Sequence, residues 1–398
     1  MNNLKYWIWF SQTIGYCTPK AKQLTLIYDS IEDFYNGGEE EWRLSGLFSN
    51  KELEKMRSTP LSVSEEIIAK CNHYYYDAVC IDSPGYPECL FEIDDPPAVL
   101  YISGALPDID DRMSIAVIGT RRASMYGIKS SYEFAYNLAK AGVTIVSGGA
   151  LGVDCSSHLG ALAADGVTIC VLGCGINYDY LRENAKMRSD ITFKGAVISE
   201  YPPDTEPYSY HFPQRNRIIS ALSDGILVIE AGSKSGSLIT VNSALEQDAS
   251  KKIFALAGPV DSHFDGSNKL VKDKVATLVT DYKDIIDAFD SVYVTTELDI
   301  SAQPSDDIID VIPIKGKAPT DINGLKTYDL TEVPVHKTDL NLSDDESTVY
   351  YAIGFEPIHI DKISENTNLP VFKLLPILTM LELRGLIKCV QGRSYRLI

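Results

Sequence analysis

The chain has 398 residues, 45% of them apolar and 23% charged, with a formal net charge of −19. That length exceeds one typical core and predicts two or three domains, and no run of about 20 apolar residues suggests a membrane span. Such an acidic total disfavours nucleic acid as a partner for the surface as a whole, because phosphate binding needs lysine and arginine. The charge is unevenly spread, however. Residues 1–113 carry 9 Lys/Arg against 19 Asp/Glu, residues 114–290 carry 17 against 20, and residues 291–398 carry 10 against 16. The middle segment is close to neutral, so a local basic face fits within it. The eight cysteines form no CxxC pair and no zinc spacing with histidine. Free thiols in a reducing cytoplasm, and no metal, are the expectation. The N-terminal run MNNLKYWIWF lacks the longer apolar core and small-residue cleavage site of a signal peptide.

Residues 1–73 read as short helices. LKYWIWFSQTIG has apolar residues at helical spacing, and TPKAKQLTLIYDSIEDFY offers Thr18 as a cap and Pro19 at a first helical position. Residues 74–113 are punctuated by proline and glycine and read as a connecting segment leading into an early strand, AVLYI. From Ser114 the pattern becomes strand–helix alternation. SIAVIG, VTIVSGG, VTICVLG, GAVISEY, GILVIEAG and KIFALAG are apolar strand candidates bounded by glycine. YGIKSSYEFAYNLAKAG and the segment from Val153 to Asp165 are helices between them. Such runs predict a mostly parallel sheet covered on both faces, an α/β, Rossmann-like doubly wound domain over 114–290. Residues 291–342 hold 4 Lys/Arg against 9 Asp/Glu and read as an acidic linker. Residues 343–398 read as three helices followed by two strands around Gln391–Gly392–Arg393, the pattern of a winged-helix-like unit.

The loops that follow the predicted strands carry the chemistry. In VIGTRRASMYG, Arg121 and Arg122 stand between a strand and a helix start, where backbone N–H groups attract anions. The spacing glycines of GxGxxG are missing, so no dinucleotide cofactor is expected. In SGGALGVD, the small residues Ser147, Gly148, Gly149 and Gly152 allow close backbone approach to a ligand, with Asp154 holding the loop or capping the next helix. HFPQRNRII packs Phe212, Arg215, Asn216 and Arg217 ahead of an apolar run. Three such polar side chains in a row are costly to bury without partners. EAGSKSGSLIT places Lys234, Ser235, Gly236, Ser237 and Thr240 at a helix start, the make-up of a phosphate cradle. All of these loops leave the carboxyl edge of the sheet, where open α/β folds bind ligands. No Ser-His-Asp arrangement assembles, and Cys174 has no neighbouring base to activate it, so no catalytic residue is assigned.

In order and spacing, GTRRAS, SGGALGVD, FPQRNRIISALS, EAGSKSGSLIT and GSNKLV (266–271) resemble the DNA-processing protein A family, also called Smf. The resemblance covers residues 80–285 most strongly. It implies a non-enzymatic protein that binds single-stranded DNA through the Rossmann-like domain and dimerises through it. It also implies a partner, the RecA recombinase, loaded onto incoming DNA in natural transformation. Arg121, Gly148, Gly149, Arg215, Asn216, Arg217, Ser235, Gly236 and Ser237 carry over as motif residues. The chain departs from the family at Thr120, at Lys274 where glycine is usual, and at Gly258–Pro259.

Two alternatives stand beside this reading. One is a nucleotide-binding enzyme of the phosphoribohydrolase type, with Glu230 or Glu246 as its acid. The other gives the winged-helix-like unit a duplex or a protein to bind. Arg217 has a competing structural role, bracing its loop by pairing with Glu230 or Asp154.

Overall fold

A computed structural model of the protein describes residues 3–260 and 263–289, and, further on, residues 346, 349, 353, 358–367, 369–383, 387–390 and 393–397. The acidic linker expected over 291–342 lies outside the described residues. The chain divides into two compact units, residues 1–313 and 314–398.

The first unit is built on a nine-stranded sheet. Its strands are β1 (Asp77–Cys80), β2 (Val99–Gly104), β3 (Ser114–Ile118), β4 (Thr144–Ser147), β5 (Thr168–Leu172), β6 (Ala196–Ser199), β7 (Gly225–Val228), β8 (Lys252–Ala255) and β9 (Thr277–Leu278). Their order in space is β1-β2-β6-β5-β4-β3-β7-β8-β9. From β6 to β9 all neighbours are parallel, while β2 runs antiparallel to β6 and β1 antiparallel to β2. The segment 74–113 therefore contributes two strands to the sheet as well as connecting to it.

Successive residues of each central strand point to opposite faces, and both faces are apolar. Ile115, Val117, Ile145 and Leu227 pack with Phe134, Ala135, Leu138 and Ala161 of helices α7 (Met125–Lys140) and α8 (Val153–Ala163). Ala116, Ile118, Val146, Ile226 and Val228 share a core with Ile218 and Ile219 of α10 (His211–Ala221) and Val241 and Ala244 of α11 (Ser237–Gln247). That second core is continuous with Trp7, Trp9, Phe10, Phe34, Trp42 and Met56. They come from the amino-terminal helices α1 (Leu4–Ile14), α3 (Ile31–Leu44) and α4 (Asn50–Ser58). Two of the buried indoles donate to carbonyls, Trp9 to Thr59 O at 3.0 Å and Trp42 to Phe34 O at 2.8 Å, while Trp7 Nε1 is buried without a partner. The amino-terminal helices are thus layered on the sheet face that also carries α10.

In the second unit, helices Ile360–Thr367 and Val371–Leu383 precede an antiparallel pair, Ile387–Val390 with Ser394–Leu397. A short strand, Ile358–His359, which the sequence reading did not separate from the helix after it, pairs with Ser394 and Tyr395. Ile363, Leu374, Leu378, Leu381 and Ile387 form its core. Two helices ending on a hairpin are the arrangement of a winged helix. Gln391 and Gly392 of the expected turn, and most of the first expected helix, lie outside the described residues.

Candidate functional site

Loops 119–124, 148–152, 173–181, 200–210 and 229–236 leave the carboxyl ends of β3, β4, β5, β6 and β7 on one edge of the sheet. Strand order reverses at β3, which has β4 on one side and β7 on the other. Such a switch point opens a crevice between the loops of β3 and β7.

At this crevice the start of α7 already has an anion. The fully buried Glu230 carboxylate accepts from the Ser124 backbone N–H at 3.0 Å and from its hydroxyl at 2.7 Å. Ser124 Oγ in turn accepts from the Gly127 N–H at 3.1 Å, capping the helix. A carboxylate at a helix N-terminus is stabilised by the unpaired amides and the helix dipole. Glu230 therefore takes the place that a nucleotide phosphate takes in a dinucleotide-binding fold.

The FPQRNR stretch is the first turns of α10, not a loop before a strand as its apolar ending suggested. Two of its three central polar residues point inward. Arg217, with 6% of its side chain exposed, pairs with Glu200 at 2.7 Å and with Asp95 at 3.1 Å. It also donates to Cys17 Sγ at 3.3 Å. The bracing partners are Glu200 and Asp95, then, and not Glu230, which serves Ser124, or Asp154. Burial works against the Arg217 charge, but the two carboxylates outweigh it and hold its pKa above the ordinary arginine range. Arg215 is also buried. Its Nη1 donates to Gly148 O at 2.8 Å and to the carbonyl of Val171, clamping the ends of β4 and β5. Burial pulls the Arg215 pKa down, opposed by the nearby Asp154. Asn216, half-buried, accepts from Arg215 Nε at 3.2 Å.

The glycine loop after β4 is fitted to its neighbours. A Cβ on Gly148 would sit 2.6 Å from Arg215 Nη2. Gly152 has φ +81°, and a Cβ there would lie 2.5 Å from Thr120 O, so the loop packs against the one that carries Arg121. Gly149 also has a positive φ, and its carbonyl accepts from Asn184 Nδ2 at 2.9 Å. Ser147 is buried and donates to Val117 O at 2.7 Å, tying β4 to β3. Asp154 Oδ2 accepts from the Ala150 N–H at 3.4 Å, so it holds the loop. Burial pushes its carboxyl up, with the Arg215 charge working against this.

Arg121, Arg122 and Lys234 face solvent, and none pairs with a carboxylate among the described residues. The Arg121 guanidinium lies 5.2 Å from the centroid of the Phe212 ring, within cation–π range. Phe212, half-buried, packs over Gly173 and against Tyr180, with ring centroids 5.3 Å apart. Tyr180 was not singled out from sequence; the aromatic run NYDY was its signal. In the loop after β7, Ser235 Oγ and Ser237 Oγ are 2.7 Å apart, and Ser235 Oγ accepts from the Ser237 N–H at 3.4 Å. Gly236 is exposed, while Ser237 and Thr240 are buried at the start of α11.

Cys174 and His158 are buried under this edge. Burial pushes Cys174 up to about 11, away from a reactive thiolate. His158 is fully buried with Nδ1 2.7 Å from Thr168 Oγ1. Among the described residues no group of three or more His, Cys, Asp or Glu is placed to hold a metal ion, and no helix is long and apolar enough to cross a membrane.

Residues 77–290 match the family model described as DNA recombination-mediator protein A, and residues 335–393 match the DprA winged helix domain. The chain is 34% identical over 328 residues to Protein Smf of Escherichia coli, covering 82% of this chain and 78% of that one. It is 29% identical over 406 residues to Protein Smf of Synechocystis, covering 98% of each. Among solved structures it resembles DNA processing protein A of Streptococcus pneumoniae, with a TM-score of 0.57 and 33% identity over 63% of this chain and 85% of that one. It also resembles DNA processing protein A of Helicobacter pylori, studied for its single-stranded DNA binding mode. There the TM-score is 0.50 and the identity 32%, over 55% of this chain and 97% of that one. The chain belongs to the DNA recombination-mediator protein A family.

Proposed function

We propose that the protein binds single-stranded DNA along the carboxyl edge of its sheet and delivers it to a RecA recombinase as a homodimer, without enzymatic activity. The observation that carries this reading is Arg121. It is exposed, forms no ion pair with a carboxylate among the described residues, and is set over the aromatic face of Phe212, which packs on the loop after β5. A cation beside a ring suits a single strand, whose phosphates and unstacked bases are both accessible. Arg122 and Lys234 extend the positive edge. The relationship to the Helicobacter pylori protein supports the choice of ligand.

The site residues fall into two groups under this reading. Arg121, Arg122, Phe212, Lys234 and the exposed Gly236 backbone meet the strand. Ser147, Gly148, Gly149, Gly152, Arg215, Asn216, Arg217, Ser235, Ser237 and Thr240 shape the edge that presents them. A phosphoribohydrolase-type enzyme needs a carboxylate offered to a nucleotide, and Glu230 is instead enclosed and engaged by Ser124.

The test is a titration of labelled oligo(dT) with duplex DNA alongside. A RecA ATP-hydrolysis assay is then run on single strands coated with a single-strand binding protein. The expected result is preference for the single strand and relief of the coated-strand block. Equal affinity for duplex, or no effect on RecA, contradicts the corresponding half of the proposal.

A further inference from the structure

The loop after β6 ends on two exposed tyrosines. Tyr208 is 47% and Tyr210 59% exposed, and their rings are stacked at 5.7 Å with 10° between planes. They are not loose. Both rings meet His211 edge-on, at 5.4 Å and 4.6 Å. His211 is buried and stacks on the fully buried Tyr201 at 3.9 Å. The Tyr208 carbonyl accepts from the His211 N–H at 3.0 Å. Two aromatic faces are thus fixed in solvent on a rigid base, four and two residues before the Phe212 that lies under Arg121.

We infer that the Tyr208–Tyr210 pair is a second base-stacking surface for single-stranded DNA, continuing the strand's path from Arg121 and Phe212 onto the loop after β6. This rests on the single-stranded DNA reading above and adds a subsite to it. The chemistry of the loop separates the two subsites. The Glu206 carboxylate near the Tyr208 hydroxyl holds its pKa above the ordinary tyrosine range. Asp204 is paired with Lys70 at 2.7 Å. Glu206 puts negative charge beside the rings and Asp204 neutralises Lys70, so what this loop offers is ring faces. Stacking tolerates any base, because every base has a π-face. The contribution of this subsite is therefore nearly independent of salt, whereas that of Arg121 is not.

The experiment compares oligo(dT) with an abasic strand of equal length, for the full chain and for Tyr208→Ala/Tyr210→Ala, at several salt concentrations. The expected result is a loss of about tenfold for oligo(dT), none for the abasic strand, and an unchanged salt slope. Tyr208→Phe/Tyr210→Phe keeps the rings and restores affinity. Undiminished oligo(dT) affinity in the double alanine variant overturns the inference. An equal loss on both strands does so too, and assigns the exposed rings to something other than bases. If the unaltered chain fails to bind oligo(dT), it is the underlying reading that falls.

Discussion

Glu230 holds Ser124 at the first turn of α7, its carboxylate 3.0 Å from the backbone nitrogen and 2.7 Å from the hydroxyl. The two residues are 106 positions apart, and their contact joins the loops on either side of the switch point. It fixes the segment in which Arg121 and Arg122 stand, and it fills the anion site of the helix from within. Ser124→Ala removes a cap and leaves a buried carboxylate short of donors, a cost of about 2 kcal/mol. Urea denaturation is expected to show a lower midpoint, the shift multiplied by the m-value giving that amount. An unchanged midpoint contradicts the role given to this contact.

Arg217 and Arg121 separate bracing from binding. Arg217→Ala leaves Glu200 and Asp95 facing one another without a cation, and breaking a buried pair costs about 3–5 kcal/mol. Arg121→Ala removes an exposed side chain, so its thermal midpoint should match that of the unaltered chain while its DNA binding falls. Circular dichroism melts on both variants distinguish the roles. A stable Arg217→Ala protein with lost DNA binding would move Arg217 into the interface.

Gly152→Ala tests the fit of the glycine loop. The added Cβ meets the Thr120 carbonyl, at a φ of +81° that side chains rarely adopt. The expected cost is about 1–3 kcal/mol, with a displaced Arg121 loop and weaker oligo(dT) binding. A crystal structure or amide-exchange map of the variant checks the displacement. Unaltered binding and stability would mean that the loop relaxes freely.

His158 makes stability depend on pH. The Thr168 hydroxyl donates to Ile145 O at 2.8 Å, so it accepts from His158 Nδ1–H, and Nε2 is left buried without a partner. Burial, with the Arg215 charge adding to it, pushes the His158 pKa down from 6.5 to about 3. The unfolded chain takes up a proton below about 6.5 and the native state does not. Stability from this residue is therefore complete above that pH and is lost as pH falls toward 3. Between about pH 6.5 and pH 5 the loss is about 2 kcal/mol. His158→Asn keeps a donor to Thr168 and removes the titration, so its stability should fall less on acidification. Parallel acid slopes for both proteins contradict this.

The parallel sheet was legible because its strands are short β-branched runs closed by glycine, and because helices of matching length separate them. The order of the loops on one edge followed from that. The orientation of the FPQRNR residues was not legible. On a helix, residues i and i+2 differ by about 200°, so Arg215 and Arg217 reach different partners. Those partners are Gly148, Val171, Glu200 and Asp95, all outside the helix that carries the arginines. Local sequence carries no mark of such pairings. The same holds for the amino-terminal helices: their apolar spacing showed helices, but only the fold joins Trp7 and Phe10 to the core under β3 and β4. Nothing in the sequence around Tyr208 and Tyr210 marks them out, since their exposure and stacking are set by the fold.

The most direct test of the DNA-binding edge is the salt dependence of oligo(dT) affinity for the unaltered chain and for Arg121→Ala, measured side by side. Affinity should fall linearly on a log–log plot, with a slope of roughly −0.7 per phosphate neutralised on a single strand. Arg121→Ala should bind more weakly at low salt and show a shallower slope by roughly 0.7, with an unchanged melt. An identical affinity and slope in the two proteins would contradict the assignment of Arg121 and, with it, the central claim.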